Sequence, residues 1–232
     1  MSDTVASRPG PDSARVSAVL RDAVDRLSAA GVPDPRVDAE LLLAHVLDTS
    51  RGGVQAADIR GDVLPDAARP AFAALLDRRV EREPLQHLTG RAPFRSLELE
   101  VGPGVFVPRP ETEMVAQLAI DALGAVASPE PIAVDLGTGS GAIALAMATE
   151  VPHARVYAAE KSADAFVWTK RNAERIGAAN LRLDLVDFAD AFPELDGTVA
   201  VVASNPPYVP DDAIPRDPEV RRFDPPAALY GG

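Results

Sequence analysis

The stretch that decides the fold is Val134-Asp135-Leu136-Gly137-Thr138-Gly139-Ser140-Gly141, an apolar strand that runs into three alternating glycines. The apolar segment from Ala142 to Met147, which has a helical pattern, follows it directly. Glycine at such a junction lets the backbone approach a ligand closely and exposes N–H groups at the start of a helix. We therefore expect a ligand to bind at this loop.

An acidic residue completes the pattern. Glu160 stands 19 residues after Gly141, at the end of the next predicted strand, where a carboxylate can accept hydrogen bonds from both hydroxyls of a ribose. The arrangement indicates a nucleoside-binding site. It is not specific to one cofactor, because Gly139, Gly141 and Ala144 also fit the loose dinucleotide fingerprint of nicotinamide-dependent oxidoreductases.

Helical and strand patterns alternate from about residue 111 onward. Strands that alternate with helices pair in parallel, so the sequence predicts a doubly wound, Rossmann-like α/β sheet with ligands at the carboxyl ends of its strands. The proline-rich tail predicts mainly loop. The predicted elements are a helix over 112–126, a strand from Ile132 to Leu136, a helix from Gly141 to Glu150, a strand from Arg155 to Ala159, a helix over 163–177, and strands over 181–186 and from Val199 to Ser204.

The N-terminal part has a different pattern. Residues 1–11 are polar and predict a flexible leader, and residues 12–85 predict a small helical bundle. Its helices are indicated by apolar residues at helical spacing, by the start signal Asp34-Pro35 and by the helical pattern that begins at Pro65. Between the second and third helices, the glycines in residues 51–61 predict a broken stretch.

A linker over 86–110 is predicted to join this bundle to the α/β domain over 111–232. Apolar and acidic residues alternate over 97–101, and the apolar residues 105–107 follow Gly102-Pro103-Gly104. This pattern predicts a short β-hairpin with its turn at the two glycines.

Composition excludes several classes of function. The chain has 232 residues and 23 Lys and Arg against 35 Asp and Glu, a net charge of −12, which argues against broad neutralisation of nucleic-acid phosphates and against a polybasic membrane anchor. No Cys is available for a disulfide or a thiolate metal site, and the three His lack metal-ligand spacing. We therefore expect a cytoplasmic protein with no metal, membrane or direct nucleic-acid partner.

A second motif, Asn205-Pro206-Pro207-Tyr208, follows the last predicted strand. In a doubly wound sheet these four residues lie in the same crevice as the Gly137 loop. The two prolines fix two φ angles and remove two N–H donors, so the Asn205 side chain and the nearby carbonyls are held as rigid acceptors. A pair of acceptors suits a substrate NH₂ group.

The two motifs together resemble those of S-adenosyl-L-methionine-dependent methyltransferases that act on a planar amide or amino nitrogen. Further blocks resemble the signatures of the protein-glutamine N(5)-methyltransferases that modify peptide chain release factors. The resemblance extends from about residue 13 to the end, and it implies a class I methyltransferase sheet with an N-terminal helical domain. These further blocks are Pro84-Leu85-Gln86-His87-Leu88-Thr89-Gly90, Phe94, and Val107-Pro108-Arg109-Pro110-Glu111-Thr112-Glu113.

The family's cofactor contacts can be carried over to matching positions. The resemblance implies that Gly137, Thr138, Gly139, Ser140 and Gly141 surround the amino-acid part of the cofactor. It also implies that Glu160, where the family more often has Asp, holds the ribose, that Asp187 and Phe188 border the adenine, and that Arg109, Thr112 and Glu113 close over the cofactor from the linker. Two of these residues also fit a purely structural role. Phe188 could be a core residue, and Thr112 could cap the helix that it begins.

The resemblance implies the catalytic groups as well. The Asn205 side-chain oxygen and the Pro206 carbonyl would accept the two N–H bonds of a glutamine amide, with Pro207 stiffening the turn and Tyr208 packing against the substrate. An amide nitrogen is a poor nucleophile, so we expect positioning to be the main catalytic device. No general base is predicted, and the proton would pass to water.

Several alternatives stay open. An adenine-N6 methyltransferase on DNA or RNA uses the same tetrapeptide, but residues 91–232 carry 12 Lys and Arg against 21 Asp and Glu, a net charge of −9. An oxidoreductase leaves the Asn205 motif unexplained. The block Asp224 to Gly232 resembles one after which family members continue with further strands, so a catalytically dead fragment that serves as a binding module is the third alternative.

The predicted partner is a peptide chain release factor. We expect the helical domain over 12–85 to dock this protein and to present its glutamine to Asn205, because a methyltransferase core has no surface set aside for a protein partner. We also expect a monomer.

Overall fold

The computed structural model describes residues 14–232, so the predicted leader over 1–11 lies outside the described residues. These residues form two compact units, which divide between Thr89 and Gly90. Each unit has a hydrophobic core of its own. The predicted boundaries of docking domain and linker remain a prediction.

In the described part of the first unit, residues 14–89, five α-helices surround one apolar core. Buried side chains such as Leu20, Leu42 and Phe72 recur at helical spacing and meet in this core. The Asp34 side chain makes no capping hydrogen bond, although Pro35 does begin its helix. The helices are α1 (Val16–Ala29), α2 (Pro35–Val46), α3 (Arg51–Arg60), α4 (Ala68–Val80) and α5 (Leu85–Thr89).

Helix α3 occupies the stretch that the glycines led us to expect as broken, and that expectation is wrong. The Ser50 side chain accepts a hydrogen bond of 3.0 Å from the Gly53 N–H and so caps the first turn. Val54 is fully buried in the core of the unit, and Gly61 ends the helix at φ 70°. A cap at one end and a buried anchor inside outweigh the low helix propensity of Gly52 and Gly53.

A buried carboxylate joins α2 to α3. The side chain of Glu40 is 3% exposed and accepts hydrogen bonds from Arg36 at 2.5 Å, Arg51 at 2.8 Å and Gln55 at 2.9 Å. Burial alone would raise the pKa of Glu40, but the bonds from Arg51, Arg36 and Gln55 outweigh it and lower that pKa.

The second unit opens with a β-hairpin that differs from the predicted one. Strand β1 (Arg91–Phe94) pairs antiparallel with β2 (Leu97–Glu100), whereas residues 105–107 form no strand. The prediction placed the turn at Gly102-Pro103-Gly104, whereas the partner of β2 precedes it in the chain and contains Pro93, which has no N–H for a ladder. Val105 and Val107 are nevertheless buried and pack with Ala165.

The rest of this unit is the doubly wound α/β sheet that the sequence predicts. Its four strands are parallel, in the order β5-β4-β3-β6, and helices connect them. Helix α7 is buried along most of its length, because it packs between the sheet and α6. In chain order the elements are α6 (Thr112–Gly124), β3 (Ile132–Leu136), α7 (Ala142–Glu150), β4 (Arg155–Glu160), α8 (Ala163–Ile176), β5 (Leu181–Leu185) and β6 (Val201–Ser204).

The strand order puts the two sequence motifs side by side. From β3 the chain adds β4 and β5 on one side and then returns to place β6 on the other side of β3. The topological switch point, at which such sheets bind ligands, therefore lies between β3 and β6. Leu136 pairs with Ser204, so the glycine loop and the Asn205 motif leave neighbouring strands at the same level. Adjacent strands lie only about 4.8 Å apart.

The tail after Tyr208 contains two short helices, α9 (Pro218–Phe223) and α10 (Pro226–Leu229), where mainly loop was predicted. Its end returns to the Asn205 motif, because Val209 and Tyr230 form a parallel β-bridge. Nowhere in residues 14–232 is there a helix with the length and apolar character needed to cross a bilayer.

Candidate active site

One cavity of about 410 Å³ opens at the carboxyl ends of the parallel strands. Leu136 at the end of β3, Glu160 at the end of β4, Val186 after β5 and Asn205 after β6 all line it. The other walls come from the linker residues before α6, from the first turns of α7 and α8, and from the C-terminal segment. Its volume is in the range of sites for small molecules and cofactors.

The glycine loop turns the chain sharply from β3 into α7. Gly137 and Gly139 have φ of 73° and 60°, in the left-handed region that favours glycine, and nothing lies within 4 Å of where a Cβ would stand on either residue. Backbone conformation therefore requires glycine there, and the open space leaves room for a ligand. The N–H groups of Gly137 and Thr138 both donate to the carbonyl of Ala159, which ties the loop to β4.

Asp135 braces this loop from inside the protein. Asp135 is 1% exposed. Its Oδ2 accepts hydrogen bonds from the Thr138 hydroxyl at 2.7 Å and from the Ala144 N–H at 3.1 Å. Within residues 14–232, its Oδ1 is buried with no hydrogen-bond partner. Burial raises the pKa of Asp135 to about 6, although the bonds from Thr138 and Ala144 favour the charged form, and the charge of Glu160 raises it further.

Glu160 is fixed on the opposite side of the loop. Its Oε2 accepts the Gly139 N–H at 2.8 Å, and its Oε1 accepts the Ser162 N–H at 2.8 Å. Each carboxylate oxygen can accept more than one hydrogen bond, so both oxygens keep capacity for a ligand in the cavity that they line. Two backbone donors thus fix the orientation of the Glu160 carboxylate beside the cavity.

The Asn205 motif faces the same cavity from β6. The Ser204 hydroxyl donates to the Leu136 carbonyl at 2.7 Å and locks the two strand ends together. The Asn205 Nδ2 lies 3.4 Å from the Thr112 hydroxyl, to which it donates, and this bond leaves the Asn205 Oδ1 as an acceptor for a ligand. Tyr208 lines the cavity and is 79% exposed, as expected for a ring at an entrance.

An ion pair connects the linker to the C-terminal segment. The Arg109 Nη2 donates to the Asp224 Oδ2 at 2.7 Å, and the guanidinium carbon lies 4.8 Å from the centre of the Phe106 ring. The Asp224 side chain is fully buried. Burial raises the pKa of Asp224, and the charge of Arg109 partly offsets that rise.

The C-terminal segment also supports the Asn205 motif directly. The Val209 N–H donates to the Leu229 carbonyl at 2.8 Å, and the Gly231 N–H donates to the Val209 carbonyl at 3.1 Å. A Cβ on Gly231 would overlap the carbonyl of Pro207. The segment therefore passes so close behind the two prolines that only glycine fits at that position.

Most of the residues that the sequence singled out meet in this cavity. Gly141 and Asp187 do not line it. Gly141 faces the Leu145 and Thr169 side chains, and Asp187 caps a short 3-10 helix with a bond of 3.1 Å to the Ala189 N–H. The predicted residues on the cavity wall are Arg109, Thr112, Gly137, Thr138, Gly139, Ser140, Glu160, Phe188, Asn205, Pro206, Pro207 and Tyr208.

Glu113, which was expected over the cofactor, turns away from the cavity. Its Oε1 accepts the Arg95 N–H at 2.8 Å and so anchors the turn of the hairpin. Phe188 is about half exposed, which does not fit the core position that its type allowed. Lys161 lines the cavity and lies 3.9 Å from Asp187.

Sequence reasoning missed the walls that are not part of a motif. Phe106 comes from the linker, and the residues around α10 come from the C-terminal segment. The block that starts at Asp224 was noticed only for its resemblance, although an acidic residue before two prolines is a signal for a fixed turn. Residues 14–232 contain no cluster of three or more His, Asp or Glu that could hold a metal ion.

Comparisons with known proteins agree with both units. The family model for the PrmC N-terminal domain matches residues 18–90, and the model for the methyltransferase small domain matches residues 97–217. The latter covers just over half of the chain.

Several relatives match nearly the whole chain. The release factor glutamine methyltransferase of Streptomyces coelicolor is 51% identical over 217 residues, which cover 93% of this chain and 74% of the relative. The protein of the same name from Bifidobacterium longum is 45% identical over 226 residues, which cover 94% of this chain and 77% of the relative. A 4-amino-L-phenylalanine/4-methylamino-L-phenylalanine methyltransferase from Streptomyces pristinaespiralis is 38% identical over 218 residues, which cover 92% of this chain and 72% of the relative.

Proposed function

The chain belongs to the family of release factor glutamine methyltransferases, and from this premise we propose that it methylates the side-chain amide nitrogen of a glutamine in a peptide chain release factor. It is a methyltransferase whose methyl donor is S-adenosylmethionine. The observation that carries the proposal is the geometry at the ends of β3 and β6. There, a glycine loop and a fixed amide acceptor line one cavity at adjacent strand ends.

The residues of the cavity fit the cofactor. The open space at Gly137 and Gly139 accommodates its amino-acid part, and the carboxylate of Glu160, held by two backbone N–H groups, suits its ribose. Phe188 offers a half-exposed ring beside the cavity on which an adenine can stack. When bound, S-adenosylmethionine would supply a methyl group on a positively charged sulfur: a bond from the nucleophile to the methyl carbon replaces the carbon–sulfur bond, and the sulfur leaves as a neutral thioether.

The Asn205 motif fits a planar NH₂ substrate. The hydrogen bond to Thr112 orients the Asn205 amide, so that its Oδ1 and the Pro206 carbonyl can accept the two substrate N–H bonds. Acceptors on both hydrogens hold the nitrogen in line for attack and stabilise the positive charge that grows on it. Pro207 and Gly231 keep this turn rigid, since the C-terminal segment packs directly behind it.

Loss of one proton from the newly methylated nitrogen needs no dedicated base in this scheme. None of the three His lines the cavity. Once nitrogen carries a fourth bond its proton becomes acidic, and the exposed entrance beside Tyr208 gives water access to it. Positioning and charge stabilisation are then the whole contribution of the protein.

The Streptomyces pristinaespiralis relative favours a second candidate substrate. Its name gives it a small aromatic amine, and an aniline NH₂ is planar like that of a carboxamide. The same pair of acceptors would hold either nitrogen. A release factor is the stronger proposal, because the more similar relatives carry that name and because the chain also matches the PrmC N-terminal domain.

Incubation with methyl-labelled cofactor tests the proposal. The chain is offered a release factor, the same factor with its acceptor glutamine replaced by alanine, duplex DNA, or 4-amino-L-phenylalanine. We expect label on the unmodified factor only. Label on DNA or on the free amine, with none on the factor, refutes the proposal and selects the corresponding alternative.

Two variants test the role of Asn205 in the same assay. Asn205→Ala removes an oriented acceptor and should lower kcat about 100-fold or more, while the dissociation constant of the cofactor stays unchanged. Asp212→Ala, an exposed position that does not line the cavity, is the matched control and should retain full activity. Equal activity of the two variants contradicts the assignment.

We further propose that the helical unit contributes to binding of the release factor. If it does, the intact factor should have a much lower KM than a short peptide that contains only the glutamine loop. Equal KM values for the factor and the peptide would remove this part of the proposal.

A further inference from the structure

Two buried polar side chains lie behind the glycine loop, and neither belongs to a recognised motif. Thr169 and Asn172 stand one turn apart on α8, and both residues are fully buried. A buried polar group is costly unless it is hydrogen-bonded, so the partners of these two indicate what they do. Neither residue lines the cavity.

Both side chains donate to carbonyls of the loop. The Thr169 hydroxyl lies 2.5 Å from the Gly139 carbonyl oxygen, and the Asn172 Nδ2 lies 3.0 Å from that of Ser140. Asn172 also exchanges two hydrogen bonds with the backbone of Glu100 in β2, at 2.7 Å and 3.0 Å. Helix α8 therefore holds two consecutive peptide groups of the loop.

The N–H groups of the loop are nearly all occupied. Those of Gly137 and Thr138 donate to Ala159, that of Gly139 to Glu160, and that of Gly141 to the Thr138 carbonyl. Across residues 14–232, the Ser140 N–H finds no acceptor. Ser140 lines the cavity, so its N–H is the loop donor that remains for a ligand.

The direction of this free N–H follows from the hydrogen bond at Thr169. In a trans peptide the C=O of one residue and the N–H of the next point in opposite directions, and the described chain has no cis peptide bond. Because Thr169 draws the Gly139 C=O toward α8, the Ser140 N–H points away from α8. Thr169 thus sets the orientation of a group that it does not touch.

Packing at Gly141 keeps the loop close enough for this contact. A Cβ on Gly141 would lie 3.0 Å from the Thr169 Cγ2 and 2.9 Å from the Leu145 Cδ1, and the residue has φ 87°. Space and conformation both require glycine there. The third glycine of the motif therefore serves the approach of the loop to α8 rather than contact with the ligand.

We propose that Thr169 is a positioning residue that aims the Ser140 N–H at the carboxylate of the cofactor's amino-acid part. An N–H group binds an acceptor and not an ammonium group, and the adjacent N-terminus of α7 favours a negative charge. The inference rests on the proposed function, because it assumes that the loop binds that part of the cofactor.

Calorimetric titration of the full chain with two ligands tests the proposal. One is S-adenosylmethionine, and the other is decarboxylated S-adenosylmethionine, which keeps the amine and lacks the carboxylate. Thr169→Ser and Thr169→Ala lose the same methyl group, so any difference between them reports the hydroxyl alone. Thr149→Ala, which removes a hydroxyl that donates to the Leu145 carbonyl within α7, is the matched control.

We expect Thr169→Ala to weaken binding of S-adenosylmethionine roughly tenfold relative to Thr169→Ser, since about that much is lost with one hydrogen bond to a charged group. Binding of the decarboxylated ligand should differ less than about twofold between the two variants. Equal losses for both ligands, or no loss for either, overturn the proposal. Failure of the unsubstituted chain to bind S-adenosylmethionine would instead overturn the cofactor assignment on which it rests.

Discussion

The buried carboxyl of Asp135 should make the α/β unit less stable as the pH rises from about 4 to 6. Its pKa of about 6 in the folded protein exceeds the ordinary value of 3.8, so the folded state binds a proton more tightly than the unfolded state does. Stability contributed by the neutral form is complete below the unfolded pKa and is lost as pH rises through the folded pKa. The difference of about 2 pKa units corresponds to about 3 kcal/mol of unfolding free energy.

Asp135→Asn isolates this term, because it has nearly the same shape and no charge. Trp168 is the single tryptophan of the chain and belongs to the same unit, with its Nε1 donating to the Pro103 carbonyl at 3.2 Å. Its fluorescence during guanidinium unfolding therefore follows this unit at each pH. We expect the unfolding free energy of the unsubstituted protein, minus that of Asp135→Asn, to fall by about 2 kcal/mol between pH 4 and 7.5.

A flat difference between the two proteins over this pH range would refute the reasoning, and so would a difference that rises with pH. Either result would mean that the bonds from Thr138 and Ala144 stabilise the carboxylate at least as much as burial destabilises it. Asp184→Asn, at a partly exposed carboxylate on β5 that pairs with Arg182, serves as the control for nonspecific effects of charge removal.

Three further predictions concern other parts of the chain. Glu40→Gln should lower the unfolding free energy of the helical unit by about 3 kcal/mol at pH 7, as measured by circular dichroism, and this effect should shrink as the pH falls below the ordinary pKa of 4.5, because hydrogen bonds keep the pKa of Glu40 low. Gly231→Ala should push its new methyl group against the Pro207 carbonyl and lower kcat at least tenfold in the methyl-transfer assay, with little change in cofactor affinity. Asp224→Asn should remove the charge that pairs with Arg109 and raise the KM for cofactor several-fold, whereas Asp212→Asn, an exposed position, should leave it unchanged.

The strands of the sheet could be predicted well because each is an apolar or alternating run between clear stops. The strand from Ile132 to Leu136 has its predicted bounds, since Pro131 precedes it and Gly137 follows it. The alternation of strands with helices predicted parallel pairing. Parallel pairing in turn predicted that the two motifs meet at the carboxyl ends of neighbouring strands. This part of the site needed only local patterns and one topological rule.

The failures have physical reasons of a different kind. Helix α3 forms in spite of its two glycines because Val54 is buried by other helices, a contact that no local pattern contains. The hairpin uses a strand that contains Pro93, which an edge position tolerates. In the first case packing between distant segments outweighed the local preference of the chain, and in the second the pairing position made that preference unimportant.

The same distinction separates the chemistry of the site from its geometry. Glycines and a carboxylate at fixed spacing indicate a nucleoside-binding loop, but the direction of each N–H in that loop depends on what holds its carbonyls. Thr169 and Asn172 follow the loop by some thirty residues and occupy positions that a helical pattern assigns simply to polar residues. In a loop of the same sequence without the Thr169 hydroxyl, the peptide group between Gly139 and Ser140 would be free to rotate. The affinity of that loop for the cofactor would then depend on how often the Ser140 N–H points into the cavity, which is why substitutions on α8 test the site as directly as substitutions in the loop.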